Sequence, residues 1–325
     1  MAQHPLLSFA ARRVFLGVLT LFAVCVVVFL ATQVLPGDAA RAVLGRNATP
    51  ELLAEIRAEL RLDDPLLVQF WSWLSGILTG DPGHSLVNGT AVSDIVYPRV
   101  LNSAMLLALT SVISFPLSIT LGVVAALYSG RFVDTGISTI ALALAALPEF
   151  VVGIILILLL STSVFHFFPA VSLVPPGTSV LQNPIILVLP VLTLSLVCFP
   201  YLYRMTRASV IEVLGSEYVE MARLKGVGTL RLTFVHVLLN ALAPVVQVVA
   251  LTLAYLAGGV VLVEFVFGYP GVGQGLLEAI MVRDVPVIQL IVLLLAAVYV
   301  LLNLLADLIA MLLNPRMTAR QWQSN

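Results

Sequence analysis

Long uninterrupted runs of apolar residues dominate the chain, and most polar positions lie in the segments between them. A helix rises about 1.5 Å per residue, so roughly 20 apolar residues cross the ~30 Å hydrocarbon core of a bilayer. Runs of this length predict six transmembrane helices, at residues 14–35, 101–128, 136–164, 184–203, 233–263 and 285–313. The pattern therefore predicts an all-α integral membrane protein.

Prolines inside three of these runs mark helices that we expect to bend. Pro116, Pro148 and Pro244 lie within the second, third and fifth predicted spans. Proline removes one helical hydrogen bond and its ring clashes with the preceding turn, which kinks or breaks a helix. The third and fifth spans are also long enough to tilt or to break.

The composition agrees with a lipid environment. The 325 residues are 60% hydrophobic and only 10% charged, which is more apolar than one water-soluble core accounts for. The net charge of −1 gives no indication of nucleic-acid binding. Cys25 and Cys198 each lie in an apolar run, which argues against a disulfide framework or a zinc site. His84, His166 and His236 are too dispersed to predict a metal site.

The distribution of basic residues predicts the orientation of the chain. With the amino terminus placed inside, ten of the sixteen Lys and Arg residues fall in inner segments close to span ends. The positive-inside rule then predicts that both termini are cytoplasmic. The first apolar run is longer than the core of a signal peptide and no convincing cleavage site follows it, so we expect a retained anchor.

The outer segment, residues 36–99, predicts two short amphipathic helices. Thr49 before Pro50, and Asp64 before Pro65, are typical helix starts. Two interpretations remain open for these helices, a cap that lies on the membrane surface and a surface that meets an external partner. The candidate contact residues for such a partner are Trp71, Trp73, Asp81 and His84.

The inner segment, residues 204–232, predicts a short polar helix. Ser216 is a suitable N-cap, and Gly226 is suited to the left-handed conformation that ends a helix. Tyr218, Met221 and Leu224 recur at a spacing that forms an apolar ridge. The ridge indicates either a docking site for a soluble partner or a helix lying at the membrane interface.

Two acidic residues lie inside predicted spans. Glu149 is near the middle of the third span, where a carboxylate costs ~2.5 to 3.5 kcal/mol on insertion scales. It is predicted either to line a translocation path or to make a buried structural hydrogen bond. Asp307 lies nearer the inner end of the sixth span, and we expect it to pack with Asn303 or with a partner subunit.

Several enzyme classes lack their residues in this chain. The glycine-rich residues 271–275 are not followed by the Gly-Lys-Ser/Thr of a phosphate-binding loop, and Lys225, the only lysine, lies elsewhere. No His-Glu-x-x-His sequence of a metalloprotease is present. We therefore expect this chain to have no ATPase site of its own, so that ATP hydrolysis, if it occurs, resides on another polypeptide. A self-contained, proton-coupled secondary transporter remains the alternative, because Glu149 and Asp307 could carry protons.

Residues 217–226, which read EYVEMARLKG, resemble the EAA loop of bacterial ABC importer permeases. The match continues through His236, Asn240, Ala241 and Pro244 in the arrangement of the dipeptide/oligopeptide/nickel branch. Further strings agree with that branch, at residues 35–38, 80–85, 263–273, 283–286 and 314–316. Met221 replaces the first alanine of the motif.

The resemblance implies the type I importer permease fold of six transmembrane helices with a small helical extracytoplasmic insertion. The corresponding segments are residues 1–35, the insertion at 36–99, a five-helix core at 100–313 that contains the 204–232 loop, and a tail at 314–325. The resemblance also implies a helix that couples to an ATPase, formed by Glu217, Tyr218, Glu220, Met221, Ala222, Arg223, Lys225 and Gly226.

The same resemblance implies a set of partners in a bacterial plasma membrane. These are a second homologous permease, two ATPase subunits that bind ATP and magnesium, and an external binding protein that delivers di- or oligopeptides. No cofactor is expected in this chain itself. Nickel or another solute is also carried by relatives of this pattern. If Glu149 lines the path, it could meet the amino terminus of a peptide.

Overall fold

The computed structural model describes residues 5–34, 49–51, 57, 63–174, 180–228, 231–232 and 237–313. Outside the helices, these residues form turns, loops and one isolated antiparallel bridge between His84 and Ala91. The α-helices of the described residues are α1 Pro5–Val34, α2 Leu66–Thr79, α3 Val92–Leu127, α4 Phe132–Ala145, α5 Glu149–Ile157, α6 Val188–Leu214, α7 Glu217–Leu224, α8 Leu238–Phe267, α9 Val272–Val282 and α10 Val285–Leu313.

Five helices are each long and apolar enough to cross a bilayer, namely α1, α3, α6, α8 and α10. Helices α4 and α5 together form a sixth candidate span. Six spans are therefore present when this pair is counted as one, as the apolar runs predict.

The third span is broken rather than kinked. Helices α4 and α5 meet at an angle of 105°. Pro148 precedes α5 with φ −59° and ψ 145°, an extended conformation that ends the helical path. Proline also disfavours the helical conformation of the residue before it. Pro116 and Pro244, by contrast, lie inside the continuous helices α3 and α8.

Several helices extend beyond their predicted ends, and one α-helix was not predicted. Helix α1, for example, begins at Pro5 rather than at residue 14. Helix α3 begins at Val92 rather than at residue 101, and α6 continues to Leu214 rather than ending at residue 203. Both extensions are held by buried side chains, such as Val92 and Val210, although the surrounding sequence is more polar. Helix α9 is the unpredicted one. The first predicted outer helix, from Thr49, lies largely outside the described residues.

Helix α6 lies at the centre of the fold. Its side chains pack with α3, α5 and α8 in one apolar cluster that includes Leu106, Leu194, Leu202 and Leu256, each at most 1% exposed. Cys198 is also buried there as a free thiol. Because α3, α5 and α8 all pack against α6, this helix positions the helices that carry the candidate sites.

Helix α1 lies at the periphery against α10 and α2. Gln289 Nε2 donates to Thr32 Oγ1 at 2.8 Å, and Arg13 pairs with Asp307 at 2.8 Å. Asp307, which was expected to pack with Asn303 or with a partner subunit, thus forms an ion pair across to α1, and Asn303 Nδ2 donates to the Tyr299 carbonyl of its own helix at 2.9 Å. These two links join α1 to α10, and a hydrogen bond from Gln33 Nε2 to Gln69 Oε1 at 3.0 Å joins it to α2.

Gly122 allows α3 and α6 to approach closely. A Cβ atom at this position would lie 2.7 Å from Cβ of Thr206 and 3.0 Å from the carbonyl oxygen of Tyr203. We expect Gly122→Ala to destabilise the protein by about 1 to 3 kcal/mol, because overpacking forces backbone shifts. The measurement is the midpoint of thermal unfolding in detergent.

Gly136→Ala is the matched control, because Gly136 is also helical but a Cβ atom at this position would have no neighbouring atom within 4 Å. Alanine is favoured over glycine in a helix by about 1 kcal/mol, so this variant should be neutral or slightly more stable. Equal midpoints for the two variants would show that the contact between α3 and α6 tolerates a wider spacing.

Candidate functional site: the inner helix, the concave face and the outer loops

Helix α7 is a short helix that follows the end of α6. Ser216 occupies its N-cap position with extended backbone angles, as predicted, but its hydroxyl donates to the carbonyl of Val213 at 2.5 Å rather than to α7. Gly226 adopts φ 78°, the left-handed conformation expected of it, one residue after the C-cap Lys225. Local sequence signals therefore place both ends of the helix.

One face of α7 is anchored and the other is exposed. Val219 is completely buried, in a cluster with Ala126 of α3 and Val210 of α6, and Ala222 packs against the same cluster. The opposite side exposes the predicted ridge of Tyr218 at 45%, Met221 at 55% and Leu224 at 77%. The charged residues of the predicted coupling helix are also exposed, namely Glu217, Glu220, Arg223 and Lys225.

An ion pair joins α6 to α4, the first half of the broken span. The carboxylate of Asp134 accepts from Arg207 Nε at 2.6 Å and Nη2 at 2.8 Å, and from the Gly130 amide at 2.9 Å. Ser138 and Tyr203 hydroxyls lie 2.9 Å apart on the same two helices. These contacts link α6 to α4.

Glu149 stands at the break in the third span, as the first residue of α5. Its carboxyl borders a cavity of 370 Å³ lined also by Tyr255 of α8 and by Tyr299 and Asn303 of α10. Its Oε2 atom is buried and has no hydrogen-bond partner within the described residues. Glu149 thus lies beside a cavity, as expected of a residue that lines a translocation path. Its Oε2 atom does not make the buried structural hydrogen bond of the alternative interpretation.

A larger cavity of 1030 Å³ adjoins the first, and both are lined by Leu251 and Tyr255. Its wall includes Tyr201, Arg204 and Arg207 of α6. Together the two cavities form what we call the concave face, bounded by α4, α5, α6, α8 and α10.

The candidate outer residues fall into two groups. Trp71 is 58% exposed, and Asp81 and His84 are exposed in the loop after α2. Trp73 instead packs inward, with its ring 5.8 Å from that of Phe29 on α1. Asp81 also orders the loop, because its Oδ1 accepts from the Gly83 amide at 3.1 Å.

Two of the strings that carry the family resemblance meet in the structure. Asp284, which is 4% exposed, accepts hydrogen bonds from the Ser85 hydroxyl and from the Leu86 amide, the latter at 3.1 Å. Residues 80–85 and 283–286 are thereby joined, although almost 200 positions separate them in the chain. The outer loop is consequently fixed to the start of α10.

Glu264 is a functional candidate that the residue pattern did not single out. It is completely buried near the end of α8, where it accepts from Ser103 Oγ at 2.5 Å and from the Gly273 amide at 2.6 Å. Ser103 Oγ in turn accepts from the Val272 amide at 2.8 Å. An acidic residue in an apolar run just before a glycine-rich string was the available signal.

The surroundings of Glu264 form a junction between α3, α8 and α9. Tyr269 donates its hydroxyl to the Asn102 carbonyl at 2.8 Å, and Asn102 Nδ2 donates to the Pro270 carbonyl at 2.9 Å. Arg99 pairs with Glu278 of α9 at 2.5 Å. We call these contacts the outer junction; they fix the turn between α8 and α9 on the start of α3.

Among the described residues, no group of three or more His, Cys, Asp or Glu side chains is placed to hold a metal ion.

Comparisons with known proteins match nearly the whole chain. Residues 118–319 match the family described as "Binding-protein-dependent transport system inner membrane component". Residues 6–94 match the corresponding N-terminal family of membrane components of such systems.

Curated relatives are similar over almost their full lengths. A probable peptide ABC transporter permease of Sinorhizobium fredii is 36% identical over 94% of this chain and 97% of its own. A putative peptide transport system permease of Brucella abortus is 35% identical over 94% and 97%. The glutathione transport system permease of Escherichia coli K12 is 35% identical over 95% and 98%. With its apolar spanning helices and these matches, the chain belongs to the inner membrane permease family of binding-protein-dependent ABC transport systems.

Proposed function

We propose that this permease forms half of the translocation path of an ATP-driven importer of di- or oligopeptides, and that α7 is its docking helix for an ATPase subunit. The observation that supports docking most strongly is the two-sided character of α7. Its buried face is fixed to α3 and α6, whereas its other face exposes apolar and charged side chains together. A helix held in this way presents a rigid surface to a partner.

The peptide cargo is supported by the relatives, because two of them are described as peptide permeases and a third as a permease for glutathione, itself a small peptide. In this proposal the complete transporter contains a second homologous permease, two ATPase subunits that bind ATP and magnesium, and an external binding protein. Both termini and α7 lie on the cytoplasmic side, in agreement with the basic residues of the inner segments.

The route from ATPase to substrate runs along α6 in this proposal. Closure of the ATPase moves α7, and the Asp134–Arg207 pair carries the movement of α6 to the broken span that bears Glu149. On the outer side, the exposed Trp71, Asp81 and His84 belong to the surface that receives the binding protein. Asp284 stabilises the loop that carries this surface, because it accepts a hydrogen bond from the Leu86 amide.

Glu220→Arg tests the docking assignment. Reversing an exposed charge in an interface places like charges together, so we expect copurification of the ATPase to fall by about tenfold or more. ATP-dependent peptide uptake in vesicles that carry the native complex should fall with it. The variant should still insert, because Glu220 is exposed and supports no buried contact.

Asp94→Arg is the matched control. Asp94 is an exposed acidic residue in the first turn of α3, as Glu220 is in the first turn of α7, but it lies at the opposite end of the 36-residue helix α3 from α7. This variant should retain the ATPase. Peptide uptake by Glu220→Arg without any bound ATPase would contradict the proposal and would favour a proton-coupled secondary transporter.

A further inference from the structure

The concave face carries two opposite charges that the described residues do not neutralise. Arg207 is paired with Asp134, but Arg204, three positions earlier on α6, takes part in no ion pair within the described part of the chain. It is exposed on the wall of the larger cavity. Glu149, in the adjoining cavity, has the buried Oε2 atom without a partner.

The setting of Glu149 is tight. A Cβ atom at Gly259 would lie 2.7 Å from its Oε2, so the carboxyl lies directly against the backbone of α8. The hydroxyl-bearing rings of Tyr255 and Tyr299 and the amide of Asn303 line the same cavity. A buried carboxylate oxygen without a partner is costly unless a charged or hydrogen-bonding group meets it. A cationic ligand group would supply that contact.

The two charges lie in cavities that share part of their walls. Glu149 borders the smaller cavity and Arg204 the larger one, and Leu251 and Tyr255 line both. A short peptide that extends from one cavity into the other would therefore bring its two ends near opposite charges.

We propose that the concave face binds a short peptide by both of its termini, with Glu149 accepting from the terminal ammonium group and Arg204 donating to the terminal carboxylate. This inference rests on the proposed peptide transport and adds to it a selection made by the permease itself. Tyr255, which lines both cavities, can contact backbone or side chains of any sequence. Selection is therefore for free termini rather than for particular residues.

The test uses the complete transporter in lipid nanodiscs without its binding protein, so that only the membrane part selects. The probes are labelled trialanine with free termini, the same peptide N-acetylated, and the same peptide amidated at its carboxyl end. Wild type should bind the free peptide about tenfold more tightly than either blocked form, the value expected for loss of one charge-assisted hydrogen bond.

Two variants assign each terminus to its residue. Glu149→Gln should bind the free and the N-acetylated peptide equally, while still discriminating against the amidated one. Arg204→Gln should show the opposite pattern. Glu212→Gln and Arg131→Gln remove exposed charges that do not line either cavity, and both should behave as wild type.

Three results would overturn the inference. The first is that wild type does not bind free trialanine, and the second is that both variants discriminate among the peptides as wild type does. The third is an equal loss of affinity for all three peptides in Arg204→Gln, which would assign this residue to a lipid phosphate or to the ATPase. ATP-dependent uptake by the same wild-type complex with its binding protein restored is measured in parallel. Uptake without terminal discrimination would leave the peptide importer intact and remove only the terminus-binding proposal.

Discussion

Replacing Glu264 with glutamine is expected to lower the stability of the protein sharply, because the outer junction is built around its carboxyl group. Glutamine has the same shape but turns an N–H₂ group toward donors that now bind an oxygen, the Ser103 hydroxyl or the Gly273 amide. Because glutamine keeps one oxygen, one of these two donors loses its acceptor. A buried donor left without an acceptor costs roughly 1 to 3 kcal/mol.

Thermal unfolding in detergent, followed by tryptophan fluorescence, measures this effect. Glu278→Gln serves as the control, because Glu278 belongs to the same junction but its side chain is 51% exposed. Loss of an exposed ion pair changes stability by only about 0 to 1 kcal/mol. If both glutamine variants unfolded at the wild-type midpoint, Glu264 would not have the structural role that its buried contacts indicate.

Asp134→Asn is expected to impair both stability and the coupling of ATP hydrolysis to uptake. The side chain of Asp134 is 6% exposed, and its partner Arg207 is 31% exposed on the wall of the concave face. Removing one partner of a buried ion pair costs ~3 to 5 kcal/mol; partial exposure of Arg207 reduces this to about 2 to 3 kcal/mol. The link between α6 and α4 would be weakened at the same time.

The coupling effect is measured as peptide molecules imported per ATP hydrolysed, in vesicles containing equal amounts of folded complex. Asp307→Asn is the control, because the Arg13–Asp307 pair also joins two helices but its side chains are 44% and 33% exposed and lie away from α7. We expect the control to keep the wild-type ratio. A wild-type ratio in Asp134→Asn would show that movement reaches α4 by another route.

The ends of a spanning helix could be predicted where the helix begins and ends with its apolar run. Helix α10 agrees with its prediction at both ends, because Pro286 starts it and apolar residues fill it. Helices α3 and α6 exceed their predictions, since Val92 and Val210 are buried by protein rather than by lipid. Hydropathy measures preference for lipid and therefore misses helical turns that are stabilised by tertiary packing outside the membrane.

The candidate sites divide in a similar way. Helix α7 was predictable because its signals are local: an N-cap residue, acidic residues in the first turn and a glycine at the end. The Glu264 contact with Ser103 joins positions 161 apart, and the Asp134–Arg207 pair joins positions 73 apart. No spacing in the sequence encodes such contacts, so only the folded structure identifies them.

The break at Pro148 has a consequence for the electrical properties of the path. Helix α4 has 14 residues and is about 21 Å long, which is shorter than the ~30 Å hydrocarbon layer, so the break in this candidate span falls within the layer. Backbone groups freed by a break must be satisfied by water or by neighbouring protein, because lipid cannot do so. In the path that we propose, water in the concave face would carry the potential of one aqueous side to this depth. Much of the membrane voltage would then fall across the remaining thickness, and a charged peptide terminus at Glu149 would cross it over a short distance.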